Sequence, residues 1–208
     1  MEAGEIMSIY GSLSLPLKFT GDFEADICTA YDYFQRELND QLKRPTLYGK
    51  KVYIEARERI NSWPEGFWHV ISLEESHKFK VLPCVNDENI NLCLQNCEKS
   101  SHSIEIKQGS EKRNICLLRA SRLPWIIDII NLANKNDSAV NVWLKTSNKR
   151  NKKLYLRYNQ YGADYVVIFS VEKHFYRMIS AFPVFYSKEK ITFDEESINY
   201  KWSYFEAK

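Results

Sequence analysis

Four apolar runs crowd the last third of the chain: 140–146 (VNVWLKT), 153–158 (KLYLRY), 164–173 (DYVVIFSVEK) and 175–186 (FYRMISAFPVFY). All are rich in β-branched and aromatic residues, and only short polar links separate them: SNKRNK, NQYGA and the single His174. Links this short cannot hold the crossover that parallel neighbours need, so consecutive strands must pair antiparallel, as a meander. Such a sheet needs a cover for at least one face, and the cover has to come from elsewhere in the chain.

That cover lies upstream. Within 22–42, Phe23, Ile27, Ala30, Tyr31, Phe34 and Leu38 recur at spacings of three and four, the stripe of an amphipathic helix; Asp22 is the N-cap and Pro45 follows the end. In ICLLRASRLPWIIDIINLAN, Leu118, Leu123, Ile126, Ile127, Ile130 and Leu132 are again at helical spacing. Pro124 lacks an amide donor and fits a first turn, which predicts a helix over 124–134 with Arg119 and Arg122 just before it or in its first turns. KKVYIEA (50–56) alternates like a strand, and EGFWHVISLE (65–74) fits a strand or a short helix. Residues 75–112 are polar and read as an insertion with one short helix, ENINLCLQNCEK. The end, ITFDEESINYKWSYFEAK, fits a short helix or an added edge strand. Helices first and a sheet afterwards give an α+β fold: N-terminal helices packed on a four- to five-stranded, mainly antiparallel sheet. Residues 1–44 form an N-terminal extension and 45–208 the main domain.

Hydrophobic residues at 44% and charged residues at 27% supply a packed core and exclude pervasive disorder. No run of 18 apolar residues exists, so no membrane partner is expected. The start, MEAGEIMSIYGSLSL, has two acids and no basic region, unlike a secretory leader. The cysteines (Cys28, Cys84, Cys93, Cys97, Cys116) are odd in number and lack a paired framework. Reduced thiols in a cytoplasm are the simplest reading.

A net charge of +2 marks no polyanion binder, so any such signal must be local. It is: between Asp137 and Asp164 there is no acid, while Lys145, Lys149, Arg150, Lys152, Lys153 and Arg157 fall in the same stretch beside Trp143, Tyr155, Tyr158 and Tyr161. Cations interleaved with aromatics suit a phosphodiester backbone and stacked bases, making RNA the expected partner of this hairpin. The same lysines also suit a solvated turn that discourages edge pairing.

Candidate chemistry is sparse. His69, inside the apolar run FWHVI, is either a satisfied core residue or an acid–base group. Arg119 and Arg122 (RASR) share a face if both are helical, and two guanidiniums there would hold a phosphate; the alternative is a pair of structural ion pairs. Arg177 and Ser180 point to opposite faces of a regular strand, and a serine on an apolar face needs a partner, which substrate would satisfy. Cys93 and Cys97 have no second pair at zinc spacing, so neither a metal nor a cofactor is expected. No nucleophile-elbow, phosphate-loop or zinc-protease motif occurs.

The elements EGFWHVIS, LLRASRLPWIIDII, VNVW, DYVVIF and FYRMISAFPV resemble the phage- and plasmid-associated nuclease domains of the barnase–EndoU–colicin–RelE superfamily. The resemblance covers roughly 45–190, interrupted by the 75–112 insertion, and leaves the 22–42 helix unexplained. Those domains carry a histidine after an aromatic, an arginine-bearing segment followed by Trp, a Tyr-Val-Val strand and a last strand ending in a Thr-Ala-Tyr-like triplet. The matching positions are His69; Arg119 and Arg122 with Trp125; Tyr165 to Val167; and Ser180, Ala181 and Phe182. Phe182 stands where the family has a phenol, a role that Tyr176 or Tyr165 would have to take.

What the resemblance implies is a metal-independent endoribonuclease, a toxin or phage-conflict effector with a neutralising protein partner. RNA brings its own nucleophile, the 2′-hydroxyl, so such an enzyme needs a base, an acid and a cation for the phosphorane. His69 would be base or acid, Arg119 and Arg122 would hold the phosphate, Ser180 would donate to a non-bridging oxygen, and the basic hairpin would bind flanking phosphates. Two other readings remain: a catalytically inactive RNA- or protein-binding module on this fold, and an inhibitor of a host enzyme anchored by Tyr and Trp side chains.

Overall fold

The computed structural model describes residues 8–74, 102–107, 110–148 and 151–202. In chain order the elements are α1 (Phe23–Tyr33), continued as a π-helical stretch Phe34–Asn39; β1 (Thr46–Leu47); β2 (Lys50–Tyr53); β3 (Arg59–Ile60); β4 (Trp63–Pro64); α2 (Glu65–Ile71); β5 (Ser72–Glu74); β6 (Ser103–Ile106); and β7 (Glu111–Ile115). Then come α3 (Leu117–Ser121), α4 (Leu123–Asn134), β8 (Val140–Asn148), β9 (Asn151–Gln160), β10 (Ala163–Val171), β11 (Phe175–Pro183) and α5 (Ser187–Asn199). The fold is α+β. No helix among the described residues is long and apolar enough to cross a membrane.

β8 to β11 pair consecutively and antiparallel, as the short links require. The main sheet nevertheless has six strands, in the order β1-β2-β11-β10-β9-β8, rather than four or five. The added pair is the 46–53 hairpin, whose second strand runs parallel to β11 through Lys51↔Phe175, Val52↔Tyr176 and Arg177↔Tyr53. The 50–56 alternation marked a strand, but its parallel partner lies more than a hundred residues away, beyond any local signal.

One face of the sheet carries Leu154, Leu156, Tyr158, Tyr165, Val167 and Phe169, and α4 lies on it through Trp125, Ile126, Ile129 and Ile130. Behind α3 and α4 sits α1, whose Ile27 and Ala30, followed by Phe34 and Leu38, join the same cluster. The N-terminal segment is tied in as well. Trp125 Nε1 donates to the Ser14 carbonyl at 2.8 Å and the Tyr158 hydroxyl to that of Tyr10 at 2.9 Å. The second face is partly covered by α5. Trp143, Tyr155 and Val166 are buried there with Phe193 of α5 packed against them.

EGFWHVISLE divides into a helix and a strand. α2 ends at Ser72, whose extended backbone (φ −126°, ψ 166°) starts β5. A short apolar run carries either period, and the packing of Phe67, Val70 and Ile71 into the core selects the helical one. The expected insertion is structured at its C-terminal end. Residues 103–106 and 111–115 form a hairpin that adds to β5 in a three-stranded sheet of order β5-β7-β6. The expected helix ENINLCLQNCEK, with Cys84, Cys93, Cys97 and His77, lies outside the described residues. The C-terminal alternatives resolve as helix α5, followed by an isolated bridge from Lys201 to Trp143.

Candidate functional site

The start of α2 is fixed from below. The amides of Glu65 and Gly66 donate to the carbonyls of Glu58 and Glu55 at 2.8 and 2.9 Å, and Trp68 Nε1 donates to the Ile60 carbonyl at 2.9 Å. A β-carbon on Gly66 would lie 2.3 Å from the Glu55 carbonyl oxygen, so only glycine lets α2 approach this closely. Glu65 and His69, one helical turn apart, therefore line one wall of a cleft of about 220 Å³. Lys107, Arg177, Met178 and Ile179 line it too, and Glu55, Glu65 and Lys107 are shared with an adjoining hollow of about 380 Å³ that Arg57 and Glu58 also line.

The His69 imidazole bonds to the Ile179 backbone carbonyl, and burial, followed by the charges of Arg113 and Arg119, pushes its pKa down to about 4. It is neutral at neutral pH. With its one N–H given to a carbonyl, the other ring nitrogen is a lone-pair acceptor. Burial raises the Glu65 pKa, and a hydrogen bond with the Glu58 carboxyl raises it further; the Lys107 amide and ammonium pull the other way. Two carboxyls this close repel as anions, which favours the protonated form of Glu65.

Arg119, in α3, is 3% exposed. It donates to the Ser72 carbonyl, to the Ala181 carbonyl at 2.8 Å and to Ser180 Oγ at 3.4 Å, while its Nε has no hydrogen-bond partner. Burial lowers its pKa to about 10, which leaves it a cation at neutral pH. The structure thus gathers His69, Arg119 and Ser180 on three consecutive residues of the β11 edge, 179–181. Arg122 is elsewhere. It forms the joint between α3 and α4 (φ −95°, ψ 13°), donates to the Leu118 carbonyl at 3.2 Å and Ser121 Oγ at 3.3 Å, and stacks over Trp125 at 4.8 Å. With α3 ending at Ser121, the two arginines share no helix face and form no phosphate fork.

Arg113 is the residue that sequence reasoning missed. It is 3% exposed, donates to Ser72 Oγ at 2.7 Å and the Ser72 carbonyl at 2.9 Å, pairs with Glu111, and lowers the His69 pKa. Its place in polar sequence hid it; only the alternation of EKRNI, with Arg113 and Ile115 on one side, marks it as inward. Arg177 and Ser180 share a face, contrary to expectation. A β-bulge opposite Ile168–Phe169 inserts one residue, so Ser180 pairs with Ile168 and Arg177 with Ser170. The Arg177 side chain is half exposed and pairs with Glu172 at 3.2 Å.

The basic hairpin is less free than its sequence implies. Lys145 pairs with Glu196 at 2.5 Å, and Arg157, 1% exposed, sits between Asp164 at 2.7 Å and Asp194 at 2.8 Å. Lys152 and Lys153 are exposed. Lys149 and Arg150 lie outside the described residues. Of the aromatics beside them, Trp143, Tyr155 and Tyr158 are buried and Tyr161 is exposed. Among the described residues no group of three or more His, Cys, Asp or Glu side chains is placed to hold a metal ion. No family model matches the chain, and no curated protein or solved structure is significantly similar to it.

Proposed function

We propose that the protein is a metal-independent endoribonuclease whose acid–base pair is His69 and Glu65. One observation carries this reading: the His69 imidazole and the Glu65 carboxyl stand one helical turn apart on the wall of a cleft that Lys107 and Arg177 also line. Cleavage by the 2′-hydroxyl of RNA needs that set of groups. The neutral imidazole takes the 2′-hydroxyl proton, and the oxygen attacks the adjacent phosphorus. Lys107 and Arg177 offset the charge on the phosphorane, the part the RASR arginines held in the sequence reading. Glu65, whose pKa burial and the neighbouring Glu58 carboxyl raise, protonates the departing 5′-oxygen, leaving a 2′,3′-cyclic phosphate and a 5′-hydroxyl. The Ser180 hydroxyl accepts from Arg119 and keeps its own proton for a phosphate oxygen. Arg119 acts behind β11 as a positioning cation that helps keep His69 neutral.

The test is incubation of purified protein with total RNA in excess EDTA, beside His69→Ala and Glu65→Gln. Wild type is expected to cut RNA and leave cyclic-phosphate ends. Each variant is expected to lose about a hundredfold or more, the usual worth of a general acid or base. Undiminished cutting by either variant would remove that residue from the mechanism, and no cutting by wild type would end the ribonuclease reading.

A further inference from the structure

Tyr53, on β2, is 42% exposed on the second face of the main sheet, and its neighbour Ile54 lines the cleft. Cross-strand pairs put Arg177, Ser170 and Lys153 in one row with it, as Tyr53↔Arg177, Arg177↔Ser170 and Ser170↔Lys153. Lys51 lies two residues along β2 on the same side, and the Phe175 ring meets Tyr53 edge-on at 4.9 Å. The Arg44 guanidinium lies over the Tyr53 ring at 4.5 Å. It donates to the Asn39 carbonyl at 3.3 Å, its Nε has no hydrogen-bond partner, and among the described residues no carboxylate pairs with it. A lone exposed tyrosine is ordinary. A tyrosine with a guanidinium over its ring that no carboxylate among the described residues pairs with, in a row with Lys153 and with Arg177 beside its partner Glu172, is a π-surface flanked by cations.

Resting on the ribonuclease reading, we propose that Tyr53 and Arg44 form a stacking subsite for an unpaired base beside the cleft, so that the substrate is single-stranded RNA. Aromatic and guanidinium planes both accept the face of a base, and that face is accessible only outside a duplex. Arg177 and Lys153, about 10 Å apart across two strand spacings, are placed to meet phosphates on either side of the stacked nucleotide. Arg177 is the hinge of the arrangement, because it belongs both to the row and to the cleft.

The test is fluorescence anisotropy with a labelled 2′-O-methyl RNA strand of about a dozen nucleotides, which has no free 2′-hydroxyl and cannot be cut. Wild type, Tyr53→Ala and Tyr53→Phe are titrated with the strand and with its duplex. Wild type should prefer the single strand, Tyr53→Ala should bind it about five- to a hundredfold more weakly, and Tyr53→Phe should bind within about twofold of wild type. Equal binding by Tyr53→Ala, or equal binding of strand and duplex, overturns the proposal. So does a wild type that binds neither, which would turn attention to a protein ligand for this face. Because the probe is not cleaved, failure of the subsite leaves His69-dependent cutting in EDTA intact, and failure of the ribonuclease reading leaves the binding result standing.

Discussion

His69 carries the sharpest consequence at the scale of single residues. Its folded pKa of about 4 lies well below the 6.5 of an unperturbed imidazole, so the unfolded chain binds a proton that the folded chain refuses. The stability tied to a neutral His69 is complete above about pH 6.5 and is lost as pH falls through the window down to about 4. At most it amounts to about 3 kcal/mol. Urea unfolding of wild type and His69→Gln at pH 7 and pH 4.5 isolates this share, since other titrating groups act on both. Wild type should lose more stability between the two pH values than the variant; parallel losses would mean that His69 titrates normally in the folded chain. The sequence singled out His69, Arg119 and Ser180 and could not tell how they meet. Their meeting depends on β11 offering the Ile179 and Ala181 backbone carbonyls along an edge left open beyond Arg177, a feature of long-range pairing. Arg122 failed as a partner because one residue in a non-helical joint redirects a side chain that helical spacing would have aligned.

Elements were legible in proportion to how local their cause is. The meander follows from link length, and α4 from Pro124 and its apolar spacing, so both appear where expected. The bulge in β11 leaves no mark in the apolar pattern, yet it turns Arg177 and Ser180 to one side. α2 shows how a short element depends on tertiary contact. Seven residues cannot hold a helix alone, and this one lies against the backbone at Glu55 through Gly66. Gly66→Ala should therefore destabilise the fold by about 1–3 kcal/mol, read as a lower urea midpoint, and should cut RNA cleavage even where the protein is fully folded. A variant that matches wild type in both would show that α2 tolerates a shift at its first turn.

At the scale of the molecule, charge is organised so that a net of only +2 hides an uneven surface. The acids of α5 lie over one half of the second face, where Glu196 holds Lys145 and Asp194 holds Arg157; the half beside the cleft keeps Lys51, Lys153 and Arg177. α5 buries none of its 13 residues, so its place on the sheet depends on Phe193 and on these ion pairs. On the ribonuclease reading, α5 would confine RNA to the cleft side. Glu196→Gln keeps an acceptor for Trp143 Nε1, 3.2 Å away, while releasing Lys145, so it should leave thermal stability within about 1 kcal/mol of wild type. RNA affinity at low salt should rise, and the slope of log K against log salt should steepen by about one counterion. An unchanged slope would mean that RNA never reaches Lys145 on β8, and would confine recognition to the row from Tyr53 to Lys153.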